Sequence, residues 1–256
     1  MKFIPLITTS FTYYNNRRNN AIRSNHYDVQ LYTHTLPRAL DSLVAQTDKN
    51  FNVICIDDGS VDNPYSVIEQ YKDKLNIRCI QNSKNLGVTM TRQRGMDEAT
   101  EYFTFLDADD VFLPNTIEIF RKEIETSNPD VIVSPTLYYA DKPQVSRLLI
   151  NMVACHGKVY NKELIKRYDI SLHESITCCE DTFLNWLALE LADNVVVIND
   201  LTYMQIYTEG SVTTTTRWRR EEHRDVNRAR MIALRHLHKH AKVVKNGFKS
   251  VWNSLS

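Results

Sequence analysis

Short apolar segments alternate with amphipathic segments of helical spacing along the first half of the chain. Strands are predicted at 3–9, 51–56, 77–81, 102–106 and 131–134, and helices at 35–46, 63–74, 88–100 and from Pro114 onward. Strands that alternate with helices of about 10 to 15 residues are typical of crossover units and a mainly parallel sheet. The alternation therefore predicts an α/β fold.

Three of the predicted strands end in polar or acidic residues. These are Thr8, Thr9 and Ser10 at the end of the first strand, Asp57 and Asp58 after the second, and Asp107, Asp109 and Asp110 after the fourth. Ligands of open parallel sheets bind beyond the carboxyl ends of the strands, so these side chains are expected on one edge. Neighbouring carboxylates suit Mg²⁺ or Mn²⁺, which also bind phosphate oxygens. An equally open interpretation is that the acids only precede the helix near Pro114.

Composition and missing motifs exclude several classes of protein. Neither GxGxxG nor GxxxxGK[ST] occurs among the six glycines, which argues against a dinucleotide fingerprint and a P-loop. The 31 Lys and Arg balance the 31 Asp and Glu, so the chain is not basic throughout. No apolar run approaches the roughly 20 residues of a membrane span, and the N-terminal run is short for a signal peptide. With five cysteines and no CxxC pair, we expect free thiols in a cytoplasmic protein.

Six segments occur in a fixed order along the chain. They are 51–63 (FNVICIDDGSVDN), 85–96 (NLGVTMTRQRGM), 101–110 (EYFTFLDADD), 157–165 (GKVYNKELI), 179–184 (CEDTFL) and 209–213 (EGSVT). Together they resemble the motifs of family 2 glycosyltransferases with the GT-A fold. The resemblance implies a Rossmann-like, mixed and mainly parallel sheet flanked by helices, to which the C-terminal segment described below adds a helical extension.

The resemblance also implies nucleotide-binding roles. Thr9 and Phe11 would meet the nucleotide, Phe11 by stacking on the base. Asp58 would accept a hydrogen bond from the imide N–H of uracil, with Asp57 as the neighbouring alternative. Arg92 would lie near the phosphates, because a guanidinium binds oxyanions at two points.

A Mn²⁺ or Mg²⁺ cofactor is implied by the same resemblance. Asp109 would be its direct ligand, and Asp107 would face the ribose, the metal or both. A metal that bridges the diphosphate makes it a better leaving group.

The Glu180-Asp181 pair matches the Glu-Asp motif of the family. The resemblance implies that Asp181 is the general base for the acceptor hydroxyl, while Glu180 holds the acceptor or orients its neighbour. Direct attack would invert the configuration without a covalent sugar–enzyme intermediate. The pair is also suited to beginning a helix, where acidic side chains are favourable, and the two roles are compatible.

Three features depart from the family pattern. Residues 15–33 form a polar insertion, interpreted as either a surface loop or a lid. No Arg or His directly precedes Gly210 and Ser211, so a third protein ligand to the metal is not identified, and His156, His173 and His223 are candidates only by existing. Processive synthases carry QxxRW, whereas Arg217 and Trp218 lack the preceding Gln. A single addition is therefore favoured, with Arg217 and Trp218 on the acceptor side.

The C-terminal segment differs from the rest in charge. Residues 217–256 contain eleven Lys or Arg and three acids, a net charge of +8, so residues 1–216 carry −8. Apolar residues recur there at helical spacing, which predicts an amphipathic helix. Its basic face is either simply solvated or binds a polyanion, DNA or the anionic headgroups of a membrane.

These observations define the expected organisation and function. A GT-A domain spans 1–216, with a donor-binding half at 1–110 and an acceptor half at 111–216, and the basic extension spans 217–256. The expected activity is metal-dependent, inverting transfer of one sugar from a nucleotide-sugar, most simply a UDP-sugar, to a saccharide or cell-surface polymer. The alternatives are glycosylation of a hydroxylated base in DNA and, more remotely, a non-catalytic saccharide-binding module.

Overall fold

The structure is a computed structural model of the 256-residue chain. It describes residues 3–9, 31–60, 64–139, 141, 144, 146–176, 179–207 and 218–239, with the backbone alone at 3–9, 31–34, 218–227 and 230.

Strands and helices alternate along the described chain as far as residue 133, except that the short strand Val111–Phe112 directly follows the strand Tyr102–Asp107. The strands are β1 (Phe3–Thr9), β2 (Val53–Asp57), β3 (Ile77–Gln81), β4 (Tyr102–Asp107), β5 (Val111–Phe112), β6 (Val131–Val133), β7 (Thr136–Tyr138), β8 (Arg147–Leu149), β9 (Lys158–Asn161), β10 (Val195–Val197) and β11 (Tyr203–Met204). The helices are α1 (Leu31–Val44), α2 (Tyr65–Glu69), α3 (Val88–Glu98), α4 (Thr116–Ser127), α5 (Lys162–Arg167), α6 (Glu180–Leu191) and α7 (Trp218–Lys239).

Seven strands form the main sheet, in the order β10-β6-β9-β4-β1-β2-β3. Among these described strands every neighbouring pair is parallel except the two that β9 makes, with β4 and β6. The expected mixed, mainly parallel sheet is therefore confirmed. Because β9 lies between β4 and β6, the predicted donor and acceptor halves share one sheet.

A second sheet of four short strands has the order β5-β11-β7-β8. Its strands are two or three residues long, and the sequence analysis did not predict them. In this sheet Tyr203 of β11 pairs with Phe112 of β5. The end of the acceptor half therefore returns to the chain segment that directly follows β4.

Helices cover both faces of the main sheet. Alternate residues of β2 point to opposite sides, as expected for a strand: Val53 and Cys55 pack in one core, and Ile54 and Ile56 in the other. The first core is covered by α1, α2 and α4, and the second by α3, α5, α6 and α7. A parallel sheet buried on both faces explains why its strands are apolar runs rather than alternating sequences.

Some boundaries differ from those predicted. Strand β3 has the predicted limits, but α1 begins at Leu31 and includes Pro37. In the described part of the predicted helix 63–74, only residues 65–69 are α-helical, because the amides of Tyr71, Lys72 and Lys74 donate to carbonyls three residues back and continue the chain as turns.

The predicted C-terminal helix is present as α7. It packs on α6, and its Ala229 and Ala233 are almost fully buried in the second core. None of the helices in the described residues is both long and apolar enough to cross a bilayer. The division into domains at residue 216 stays a prediction, since residues 208–217 lie outside the described chain.

Candidate active site

The carboxyl ends of β1, β2 and β4 lie side by side at one edge of the main sheet. Thr9 pairs in register with Asp57 on one side, and Thr8 pairs with Asp107 on the other. The backbone therefore brings three predicted site segments together. The side chain of Thr9 is outside the described part of the chain.

Both aspartates at the end of β2, Asp57 and Asp58, are buried and accept hydrogen bonds from nearby loops. Asp57 accepts hydrogen bonds from the Ser60 amide at 2.9 Å and from Gln81 Nε2 at 3.1 Å. Gly59 makes the turn possible, since its φ of +78° is in the left-handed region that favours glycine.

The Asp58 carboxylate accepts three hydrogen bonds from the β3–α3 loop. Its Oδ1 accepts from the Leu86 amide at 2.8 Å and from Asn82 Nδ2 at 2.7 Å, and its Oδ2 accepts from the Gly87 amide at 2.8 Å. Asp58 therefore fixes the loop that leads into α3. Contact with the base stays a prediction for this residue.

Arg92 of α3 is the centre of a buried ionic cluster. Its Nη2 donates to Asp107 Oδ1 at 2.9 Å, and its Nη1 donates to Glu180 Oε1 at the start of α6. The guanidinium also lies 5.6 Å from the ring centroid of Phe105. Contacts of this kind stabilise a buried Arg, whose Nε is buried without a partner among the described residues. Arg92 thus joins the predicted metal side to the predicted acceptor side.

The charges of this cluster shift the ionisation of its members. Burial alone would raise the pKa of Asp107, but Arg92 and His156 hold it well below its usual range. Burial raises the pKa of Glu180 to about 7, because Arg92 offsets only part of the cost and Asp181 adds like charge. The two carboxylates therefore differ in proton affinity although they share one guanidinium.

A second group of contacts lies on the other side of Asp107. His156 Nε2 lies 3.1 Å from Asp107 Oδ2, and its ring stacks on Tyr203 at a centroid distance of 4.7 Å. Tyr203 Oη donates to Asp110 Oδ2 at 2.6 Å, and the Ile206 amide donates to Asp110 Oδ1 at 2.9 Å. Burial and the neighbouring Asp109 raise the pKa of Asp110 well above its usual range.

Asp107, Asp110 and His156 form a donor set that fits a divalent cation. One ligand atom from each lies within 4.8 Å of the others. The Nδ1 atom of His156 is buried and has no partner among the described residues. A cation would also relieve the crowding of negative charge that raises the pKa of Asp110.

Asp109, the predicted direct ligand, is not in this set. Its backbone carbonyl accepts from Arg38 Nη2 at 2.5 Å, and the residue is half-buried. Its role as a ligand stays a prediction.

The predicted general base lies at the N-terminus of α6. Asp181 is half-buried, and its Oδ1 accepts from the Thr182 amide at 2.6 Å. Cys179, the residue before α6, has a φ of +63°, which is an uncommon conformation for a residue with a side chain. This turn directs Glu180 to Arg92 and leaves Asp181 on the more open side of the cluster.

Three predicted site residues cannot be placed from the structure. Phe11 and Arg217 lie outside the described residues, and Trp218 begins α7 with only its backbone described. Residues 15–30 of the polar insertion are also outside, while 31–33 belong to α1.

The sequence analysis missed Asp110 and Tyr203 as site residues, and it left His156 unassigned. Asp110 had a signal, since it extends the acidic run Asp107–Asp109. His156 and Tyr203 had none, because their positions depend on pairings between distant parts of the chain: Tyr203 reaches Asp110 across 93 residues.

The fold places the chain among α/β proteins whose ligand sites lie at the carboxyl ends of parallel strands, and sequence comparison identifies the family. Residues 31–183 match the sequence profile of Glycosyl transferase family 2. The match covers more than half of the chain, and the chain belongs to that family. The expected family and fold class are thereby confirmed.

Individual relatives are enzymes that transfer sugars. A cholesterol galactosyltransferase of Borreliella burgdorferi is 32% identical over 106 residues, 41% of this chain and 30% of that protein. The poly(ribitol-phosphate) β-N-acetylglucosaminyltransferase TarS of Staphylococcus aureus is 26% identical over 181 residues, 64% of this chain and 32% of that protein. The chain thus spans about a third of the length of these curated relatives.

Solved structures confirm the fold. TarS 1–349 in complex with UDP-GlcNAc matches with a TM-score of 0.67 and 21% identity, over 82% of this chain and 60% of that one. The mannosyltransferase PcManGT of Pyrobaculum calidifontis, in complex with GDP-Man and Mn²⁺, matches with a TM-score of 0.62 and 12% identity, over 91% and 64%.

Proposed function

We propose that this chain transfers one sugar from a UDP-sugar to a hydroxyl of a saccharide or cell-surface polymer, with inversion and with the help of a divalent cation. The observation that carries the proposal is the Arg92 cluster, which joins Asp107 at the sheet edge to Glu180, the neighbour of Asp181, at the start of α6. Family membership and the UDP-GlcNAc bound by TarS support a UDP-sugar donor.

Asp181 is the residue proposed to accept the proton of the attacking hydroxyl. It is half-buried and therefore reachable, whereas Glu180 is nearly fully buried against Arg92. No described residue donates a hydrogen bond to Asp181 Oδ2, so this oxygen is available to an acceptor O–H. A single base suits direct displacement, since no covalent intermediate has to be formed and hydrolysed.

Asp107, Asp110 and His156 are the residues proposed to hold the cation, with Asp109 as the alternative ligand. A bound Mg²⁺ or Mn²⁺ would offset the negative charge of the departing diphosphate. PcManGT has the same fold and was solved in complex with Mn²⁺, which supports the use of a divalent cation.

The cytoplasm is the proposed location. Nucleotide-sugar use fits that compartment, and the four described cysteines form no disulfide with one another, which suits a reducing environment.

The first test is ligand-dependent thermal stability. We expect UDP with Mn²⁺ to raise the unfolding midpoint, and a chelator to remove the effect, because a ligand that binds only the folded state stabilises it. Asp107→Asn should abolish the shift. His156→Gln and Asp109→Asn distinguish the two ligand sets, since only the variant that loses a ligand weakens the response to Mn²⁺. A response to another nucleotide would contradict the UDP assignment.

The second test separates chemistry from binding. Asp181→Asn should lower turnover by about 10²- to 10⁴-fold, because the base is lost, while the UDP-dependent shift is retained. The matched control is Asp73→Asn, which should retain turnover. Asp73 is an exposed carboxylate that precedes β3, at the amino ends of the parallel strands. Unchanged turnover in Asp181→Asn would refute its assignment as the base, and donor binding by a wild-type chain without turnover would favour the saccharide-binding alternative.

A further inference from the structure

The outward face of α7 carries large apolar side chains among cationic ones. Met231 and Leu234 are 54% and 52% exposed, although both are long apolar residues in a helix that has a buried face available. Arg235 and His238 are exposed at helical spacing from them, so these four residues lie on one stripe. Ala229 and Ala233 lie on the opposite stripe, buried against α6.

The charge on this side of the molecule continues beyond the stripe. Lys239 is exposed one turn after Arg235, and Arg228 is exposed one turn before Met231, where its Nη1 donates to the Ser175 carbonyl. In sequence, residues 240–256 add three lysines, Phe248 and Trp252, and no acidic residue. The segment from 217 to 256 carries a net charge of +8, while the preceding 216 residues carry −8.

We propose that this face of α7 docks on the surface of an anionic lipid bilayer. A helix that lies in a membrane interface needs both features seen here, apolar side chains that enter the acyl boundary and cations that meet anionic headgroups. On a helix surrounded by water, Met231 and Leu234 would keep apolar surface exposed to solvent, which is unfavourable. A DNA-binding face would use the cations but gain nothing from the two apolar side chains, because phosphate contacts dominate such binding.

The proposal goes beyond the proposed function and does not depend on it. The docking face lies on α7, and its four residues make no contact with Asp107, Arg92 or Asp181 among the interactions of the described residues. Docking would hold the enzyme at a surface where lipid-linked or membrane-attached acceptors are concentrated.

The test is co-sedimentation of the full 256-residue chain with lipid vesicles. We expect binding to vesicles of phosphatidylcholine with phosphatidylglycerol, little binding to phosphatidylcholine alone, and weaker binding as salt rises. Met231→Asn/Leu234→Asn and Arg235→Glu/Lys239→Glu should each lower the apparent affinity by about tenfold or more. Circular dichroism establishes that both variants are folded.

A charge-matched control lies on the other face of the sheet. Lys72→Glu/Lys122→Glu changes the net charge by the same amount on α4 and the turns after α2, and should leave vesicle binding unchanged. Equal loss in this control would overturn the assignment, since general charge would then explain binding. Unchanged binding in Met231→Asn/Leu234→Asn would also overturn it.

Two other occupants of the face are tested with the same variants, by DNA binding and by measurement of the oligomeric state. Binding to duplex DNA that survives Met231→Asn/Leu234→Asn, with no binding to vesicles, would replace the bilayer with a polyanion. A dimer that dissociates in Met231→Asn/Leu234→Asn, again without vesicle binding, would replace it with a second copy of the chain.

Discussion

At the scale of single residues, Arg92 is the cation that pairs with two carboxylates of the site. Its side chain is almost fully buried, and its two terminal nitrogens donate to carboxylates that come from β4 and α6. Desolvation of such a group is costly, so its charge is tolerated only because Asp107 and Glu180 surround it. The pKa of Arg92 is accordingly held above its usual value in spite of burial.

Glu180 gives this cluster a measurable pH dependence. The unfolded chain ionises a Glu near pH 4.5, whereas the folded chain ionises Glu180 only near pH 7. Protonated Glu180 therefore favours the folded state, and this contribution is present below pH 4.5 and lost as pH rises to about 7. We expect the wild-type free energy of unfolding, without metal, to fall by up to about 3 kcal/mol more than that of Glu180→Gln across this window.

Urea unfolding at a series of pH values measures this difference. Glu163→Gln, an exposed carboxylate on α5, is the control and should reproduce the wild-type pH dependence. If Glu180→Gln also reproduces it, Glu180 is ionised throughout the window and the guanidinium outweighs burial.

Asp58 allows a fold role to be separated from a nucleotide role. Its carboxylate holds the Leu86 and Gly87 amides, so Asp58→Ala should lower the free energy of unfolding of the ligand-free chain by about 2 to 3 kcal/mol. Exposed Asp73→Ala should change it by less than about 0.5 kcal/mol. Intact stability combined with lost UDP binding would show that Asp58 serves only to bind the uracil base.

The site could be predicted in part from local sequence. Asp107, Arg92, Glu180 and Asp181 stand in ordered motifs, and the structure brings all four into one cluster. The contacts of Asp58 with its loop, and the stacking of His156 on Tyr203, depend on backbone geometry and distant pairings that no local pattern contains.

Among the elements, the turn before β9 depends most on one residue. Gly157 has a φ of +64°, and a Cβ there would lie 2.8 Å from Ser134 Oγ and 2.9 Å from the Ser134 carbonyl. Gly87, the residue before α3, also has a positive φ, of +84°, but no atom lies within 4 Å of its added Cβ. A side chain would therefore be strained at both positions, but only at Gly157 would it also overlap neighbouring atoms.

This pair predicts unequal costs for the same substitution. Gly157→Ala should lower the free energy of unfolding by about 3 to 4 kcal/mol, because strain and overlap add, and Gly87→Ala by about 1 to 3 kcal/mol, from strain alone. Equal losses in chemical denaturation would mean that Ser134 moves aside at little cost.

Length largely decided which elements the sequence could predict; the exception is β6, which has three residues and was predicted from an unbroken apolar run. Strands of five to seven residues, such as β3 and β4, form apolar runs between turn signals and were found. The two- and three-residue strands β5, β7, β8 and β11 are too short for any periodicity, so they escaped prediction. These short strands carry Tyr203 to Asp110, which explains why that part of the site was missed.

At the scale of the whole molecule, two apolar cores share one sheet. Phe120 of α4 is fully buried in one core and Phe183 of α6 in the other. Since β2, β4, β6 and β9 each contribute side chains to both cores, we expect each of Phe120→Ala and Phe183→Ala to cost about 3 to 5 kcal/mol in a single unfolding transition. Separate transitions for the two variants, by fluorescence and circular dichroism, would show that the cores unfold independently.

The pairing of Tyr203 with Asp110 also has a consequence for synthesis of the chain. On the ribosome, β1 to β4 are exposed to the cell well before β9 and β11, and domains are made from the N-terminus onward. Until residues 203–206 have emerged, Asp110 lacks both of its hydrogen-bond donors. A nascent chain therefore displays its acidic edge open and acquires a closed site only at the end of translation of the domain.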